Sequence, residues 1–226
     1  MDFSTPHIML DLETLGTKND SVIISIGAVR FTDTEILGEF HVGIEPASAT
    51  ALGLKIYGDT VKWWLDDDRQ PARTAWMALE KVDLGSAVAG FAYWATEKGS
   101  KPTIWGNGST FDNAMLRHSC EAVGIDYPTP FYKDACYRTI KNMAPFITLD
   151  RVGVHHDAVD DARSQAVHLQ KILAHFKAVE GSKHLIKIGA TQFRFYEANH
   201  RAKDDVDATA KAEVNRILAE QFEAGL

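Results

Sequence analysis

The chain has 226 residues, 45% of them hydrophobic and 24% charged, with a formal net charge of −7. That suits one core-forming domain with room for an appendage, and the acidic surplus disfavours a protein that coats nucleic acid through non-specific basic contacts. Cys120 and Cys136 form no disulfide framework, no run nears the roughly 20 apolar residues of a membrane span, and no leader pattern opens the chain, so a cytoplasmic protein without membrane contact is expected.

In chain order, "HIMLDLET" reads as a first strand, with Asp11 and Glu13 two residues apart and therefore on one face. After the turn-like "GTKNDS", the β-branched run "VIISIGAVRF" and then "ILGEFHVGIE" are predicted strands, and the short connections imply an antiparallel meander. "DTVKWWLDDD" predicts a helix capped by Asp59, "PARTAWMALEKV" a helix with Pro71 in its first turn, and "LGSAVAGFAYWATEKG" a helix ending at Gly99. "KPTIWGNG" is a short predicted strand with Trp105 as a core residue, "STFDNAMLRHSCEAVG" a helix ending at Gly124, and "PFYKDACYRT" a further strand. After residue 155, Val159, Ala162, Ala166, Leu169, Leu173 and Phe176 step by three and four along one helical stripe. Residues 181–226 read as an extension to a 1–180 domain, with a strand or hairpin at "LIKIGATQFRFYE" and an amphipathic helix at "DVDATAKAEVNRILAEQFEAG". The order predicts a mixed α/β sheet flanked by helices.

The segment "HHDAVDDARSQA" crowds two histidines and three aspartates together. Asp157 stands where an N-cap belongs, and Asp160 three residues on completes an acidic version of a capping box. Asp161 instead falls on the flank of the apolar stripe, at the border between core and cleft, which makes it the candidate functional carboxylate. His156 lies in the loop that feeds the helix, while no spacing argument singles out His155. Asp11, Glu13 and Asp112 supply three more carboxylates, and Asp11 and Glu13 sit in a strand otherwise fit for burial, where unpaired charges would be costly. Four carboxylates and a histidine suit a pair of hard divalent cations that activate water and stabilise a leaving oxygen in phosphodiester cleavage.

These residues carry a resemblance. "LDLETLG" resembles the first motif of the DEDD superfamily of 3′–5′ exonucleases, which have a ribonuclease H-like fold. "GNGSTFD" is similar to the second motif, through Asn107, Phe111 and Asp112, and "HDAVDDA" to the histidine form of the third, through His156, Ala158, Asp161 and Ala162. All three occur in order over about residues 6–178. The Trp-Trp pair of "DTVKWWLDDDRQPAR" and "KDACYRTI" resemble a phage and bacterial subgroup, with the departure that "LDDD" intervenes before Gln70.

The resemblance implies a five-stranded mixed sheet, three strands antiparallel and the later additions parallel. It implies two Mg²⁺ or Mn²⁺ ions held by Asp11, Glu13, Asp112 and Asp161, with His156 as the general base, its ordinary value near 6.5 being apt for that task. Leu12, Thr14 and Leu15 are expected to meet the terminal nucleotide, with Leu15 as a wedge against the last base. Asn107 is expected to orient its loop or touch substrate, and Phe111 to stack on a base or join the core. Of the adjacent Trp63 and Trp64, one belongs to the core and the other to the substrate side, Trp64 being the substrate candidate. Arg138 and Lys141 are either phosphate contacts or solvated surface. The expected activity is 3′–5′ removal of 5′-mononucleotides from single-stranded or 3′-overhanging DNA or RNA, in the host cytoplasm if the chain is phage-encoded. The alternative is a catalytically silent nucleic-acid-binding module on the same scaffold. Monomer and homodimer both stay open.

Overall fold

The structure, a computed structural model, describes residue 3 and residues 5–182. The strand or hairpin expected at 185–197 and the helix expected at 205–225 lie outside the described residues. The chain divides into two compact units, Met1–His175 and Phe176–Leu226, and the sheet and the acidic cleft belong to the first.

Three strands open the chain: β1 (His7–Thr14), β2 (Ile23–Phe31) and β3 (Ile36–Ile44), paired antiparallel as the meander predicts. Helices α1 (Pro46–Ala51), α2 (Gly58–Trp64) and α3 (Gln70–Ala78) follow, then β4 (Lys81–Val82) and α4 (Leu84–Ala95). The second half holds β5 (Ile104–Gly106), α5 (Asp112–Val123), β6 (Asp134–Cys136), α6 (Tyr137–Met143) and α7 (Ala158–Ser182). The sheet order is β4-β3-β2-β1-β5-β6, with β5 parallel to β1 and β6 parallel to β5.

Several expectations change in detail. The sheet has six strands rather than five, because Lys81–Val82 leaves the predicted helix and pairs parallel with Gly43–Ile44 at the edge. Tyr57 rather than Asp59 is the N-cap of α2, and Asp59 sits inside its first turn. The α4 helix stops at Ala95, capped at its start by Asp83, whose side chain accepts from the Ser86 N–H. The strand expected through "PFYKDACYRT" lasts only from Asp134 to Cys136, and Tyr137 begins a helix.

Alternation along β1 divides the interior in two. Ile8, Leu10 and Leu12 join the larger core on the face of α4 and α5, with Phe91, Met115 and Leu116. Met9 faces the other way, into a second core with Val29, Phe31, Trp105 and the α7 stripe residues Ala162, Ala166 and Leu169. Trp105 is buried as expected, and its indole N–H donates to His7 Nδ1 at 3.0 Å. Asp11 and Glu13 have the parity of Met9, so they continue the α7 face beyond the apolar packing, at the C-terminal end of the strand.

One glycine brings α7 to them. Gly27 pairs with Asp11 across β1 and β2, and a Cβ built there would lie 2.1 Å from the carbonyl carbon of Ala158, the first residue of α7. Only a residue without a side chain lets the helix backbone approach the sheet this closely. Gly27→Ala is therefore expected to destabilise by roughly 1–3 kcal/mol or more, since helix backbone must move. A thermal melt several degrees below wild type, with far-UV helix and strand content retained in the cold, is the expected reading.

Candidate active site

The C-terminal ends of parallel β1 and β5 lie side by side, with Leu10 opposite Gly106, and antiparallel β2 flanks β1 on its other edge. Chain connections leave in opposite directions from such a place, so a cleft opens there. A cavity of about 600 Å³ occupies it, lined by Asp11, Glu13, Asp112, His155, His156 and Asp161 among others.

Each acidic side chain is delivered by a different local device. Asp11 and Glu13 ride on β1. Asp112 begins α5 after the tight Gly106–Gly108 passage, where a Cβ on Gly106 would sit 2.4 Å from Asn113 Oδ1 and 3.0 Å from Asp112 Oδ2. Asn113 fixes that turn by donating to the Ile104 carbonyl at 3.0 Å. Asp161 lies in the first turn of α7, reaching Asp11 and Glu13 so that one oxygen from each of the three falls within 4.8 Å of the others.

The loop before α7 is pinned by α7 itself. Alternate backbone N–H groups at Val152, Val154 and His156 donate to Ser164 Oγ, Asp160 Oδ2 and Asp161 Oδ2 at 3.0, 2.7 and 3.0 Å. Asp157 caps the helix, accepting from the Asp160 N–H at 3.3 Å, but Asp160 turns to Val154 rather than back to Asp157, so the expected capping box is only half formed. His156 adopts φ +67, the only positive φ among the described residues other than glycine, and this backbone twist aims its ring into the cleft wall. The ring stands perpendicular to Trp63 with centroids 4.8 Å apart and stacks on His155 with centroids 3.7 Å apart. The structure thus brings His155 to the site as well: both histidines place a ring nitrogen within 4.8 Å of an Asp161 oxygen.

Electrostatics mark the cluster as a place built for cations. Burial first, then the charges of Asp112 and Asp161, push Asp11 well above the ordinary carboxylate range. Glu13 is raised by burial and by Asp11 and Asp161, and Asp161 by burial. Burial lifts Asp112 from 3.8 to about 7, against the pull of backbone N–H groups at Asp112, Leu12 and Asn107. Carboxyl groups that raise one another in this way, together with a buried Asp112 Oδ2 that has no hydrogen-bond partner, fit a donor set for hard divalent cations. His156 moves oppositely, down to about 4, chiefly through burial and then through His155, Arg69 and Arg151. Its imidazole is consequently neutral throughout the neutral range and has a lone pair to accept a proton, at a value lower than the 6.5 expected for a free side chain.

The expected substrate residues fare unequally. Leu12, Thr14, Asn107 and Phe111 line the cavity. Thr14 donates its hydroxyl to the Gly16 carbonyl at 2.7 Å, and Asn107 Oδ1 is a buried acceptor without a partner. Leu15, next to the lining residue Thr14, is half-buried and packs in part against the larger core. Trp64 touches the cavity but is 6% exposed, and its indole N–H is committed to the Thr14 carbonyl at 2.9 Å, so its part is to hold the end of β1. Trp63 is the member of the pair that faces His156.

Two neighbours escaped sequence reasoning. Gln165 donates to Asp11 Oδ1 at 2.8 Å, while its Oε1 stays unpartnered; its spacing of four from Asp161 along a helix was the available signal. Arg151 pairs with Asp161 Oδ1 at 2.6 Å from a loop that carries no periodicity.

The family model that matches this chain is one of 3′–5′ exoribonucleases, and the fold is shared with solved 3′-exonucleases. Among solved structures, the nuclease domain of 3′hExo, a DEDDh family member bound to rAMP, is similar at 16% identity and a TM-score of 0.54, over 75% of this chain and 92% of that one. Cell-death related nuclease 4 (CRN-4) follows at 16% identity and 0.53, and a full-length 3′-exonuclease at 13% and 0.52, each over 75% of this chain. This chain covers 64% and 60% of those two, and at such identities the likeness is one of fold. No curated protein sequence matches the chain. Residues 6–173 match the model of the 3'-5' exoribonuclease Rv2179c-like domain, and the chain belongs to that family.

The raised carboxyls give a pH signature. A group whose folded value exceeds its unfolded one binds more protons when folded, so its contribution to stability is full below about 4 and is lost as pH rises through the folded value. In chelator, the melting temperature is expected to fall by several degrees between pH 4 and pH 7.5, Asp112 titrating near 7. Mg²⁺ or Mn²⁺ should restore stability most at the high end, and Asp112→Asn should flatten the chelator curve. A melting temperature independent of both pH and cation would contradict the electrostatic reading.

Proposed function

We propose that the protein trims RNA from the 3′ end, hydrolysing the terminal phosphodiester of a single-stranded or overhanging strand and releasing 5′-mononucleotides. The observation that carries this is the convergence of Asp11, Glu13 and Asp161 within 4.8 Å, with Asp112 on the same cavity, beside a neutral His156. The family's name supports RNA over DNA as the substrate.

Asp11, Glu13, Asp112 and Asp161 would hold two Mg²⁺ or Mn²⁺ ions, which when bound supply charge neutralisation for the attacking and leaving oxygens. The remaining chemistry belongs to the chain. His156 accepts the proton of the attacking water, which its neutral imidazole permits. Trp63 packs perpendicular to it and the pinned amides at 154 and 156 hold its loop, so the ring is positioned before substrate arrives. Gln165 orients Asp11, and Asn107 lines the cavity beside Asp112. Phe111, half-buried at the cavity wall, offers a face on which the terminal base can stack.

A time course on matched 5′-labelled RNA and DNA oligonucleotides, in Mg²⁺, Mn²⁺ or chelator, tests the reading. A cation-dependent ladder that shortens from the 3′ end, faster on RNA, is expected; intact strands in every condition would leave only a silent binding module. His156→Ala and Asp161→Asn should each lower kcat/KM by about 10²–10⁴-fold, whereas His155→Ala, which removes a stacking and electrostatic neighbour of His156, should cost under about tenfold. Equal losses from the two histidine changes would overturn the assignment of the base to His156.

A further inference from the structure

The cavity is not symmetric in charge. Its three Arg and Lys side chains, Arg138, Lys141 and Arg151, all come from α6 and the loop that follows it. The facing α2 wall contributes Asp59 as its charged lining residue. A polyanionic strand entering this cleft is drawn to the α6 side, since on the other side Asp59 is set against Arg69, which lies over Trp63 at 4.4 Å and is paired with Asp68.

The three cations differ in what already occupies them. Arg151 is engaged by Asp161 at 2.6 Å. Arg138 donates one N–H to the Asn107 carbonyl at 2.6 Å, which leaves the rest of its guanidinium fork open, and Lys141 lies over the Tyr137 ring at 5.7 Å. Among the described residues, neither Arg138 nor Lys141 has a carboxylate within ion-pair distance. Spaced by three on one helix, they share a face.

That face is held still. Tyr137, fully buried beside Arg138, donates its hydroxyl to His168 Nδ1 at 2.6 Å. The direction follows from the other ring nitrogen, Nε2, which must donate to the Ile147 carbonyl at 2.8 Å. The Arg138 bond to Asn107 ties the same helix to the loop that presents Asp112. Two open cations on a fixed wall, next to a carboxylate cluster but not consumed by it, are placed for an anion that the carboxylates do not handle.

We propose that Arg138 and Lys141 form a second phosphate-binding subsite, which grips the backbone of a single-stranded substrate on the 5′ side of the scissile bond. The proposal rests on the exonuclease reading above and adds the direction in which the strand leaves the site. The subsite recognises phosphate and not base identity, so it acts on substrates long enough to reach it and contributes nothing to a substrate that carries the scissile phosphate alone.

The test compares a 5′-hydroxyl diribonucleotide, whose single phosphate is the scissile one, with a pentaribonucleotide. Wild type, Arg138→Gln and Lys141→Gln are assayed in Mg²⁺ at subsaturating substrate and over a range of salt. Lys141→Gln should lower kcat/KM on the pentamer by about five- to tenfold while staying within about twofold of wild type on the dimer, and Arg138→Gln, which also releases the Asn107 carbonyl, should lose about five- to tenfold more on the pentamer than on the dimer. The slope of log kcat/KM against log salt on the pentamer should become shallower by about 0.7 per lost phosphate contact, a change that loosened folding would not produce. Parallel losses on dimer and pentamer would overturn the subsite by placing the cations at the scissile phosphate, and unchanged pentamer kinetics would route the strand elsewhere. If wild type shortens neither substrate, it is the exonuclease reading that fails.

Discussion

Ionised carboxylates as close as Asp11, Glu13 and Asp161 repel one another strongly wherever water is scarce, and much of this structure serves to hold that repulsion in one place. Asp11 and Glu13 cannot retreat, because they belong to the central strand of a six-stranded sheet with β2 and β5 bonded on either side. Asp161 cannot retreat either, because the α7 stripe is buried against Met9, Val29 and Trp105 and Gly27 lets the helix start lie directly on the sheet. Apolar burial on both faces of β1 thus stabilises a charge arrangement that would not persist by itself. Burial and mutual repulsion together raise these carboxyl groups above the ordinary carboxylate range.

The same constraint explains the density of hydrogen bonds in the loop before α7. A segment that must present His156 at a positive φ needs outside support, and it comes from Ser164, Asp160 and Asp161, whose side chains take alternate backbone N–H groups. Asp160 is itself steadied by Arg163, which forks onto Glu39 of β3 with two contacts of 2.6 Å. Gly153 completes the fit: at φ +72, a Cβ would fall 2.0 Å from the Asp160 carboxylate. The loop is therefore a built support for the histidine, and the cap residues beside it are part of that support.

The outline of the fold was legible because its signals are local. The β-branched runs, the helical stripe from Val159 and the parity of Asp11 and Glu13 each follow from a fixed period, and all are seen in the structure. What escaped was decided between distant segments. Lys81–Val82 has no strand signature of its own and becomes β4 because the open edge of β3 offers partners at Gly43 and Ile44. Trp64 lines the cavity as expected, but its indole N–H is spent on the Thr14 carbonyl, a bond between segments fifty residues apart that no local period announces. Gln165 had a helical spacing to suggest it, and Arg151 had none.

By itself, the sequence determined which residues could do chemistry: the order and spacing of Asp11, Glu13, Asp112, His156 and Asp161 name a set, because acid and base character resides in the side chains and the strand and helix periods decide which of them share a face. Only the tertiary structure decided how that set is tuned and approached. It drew His155 against His156, pushed His156 down to about 4 and Asp112 up to about 7, and put the open cations on a single wall. The reason is physical: desolvation, charge–charge distance and the sidedness of a cleft are properties of space between chain segments, and no local period in a sequence encodes them.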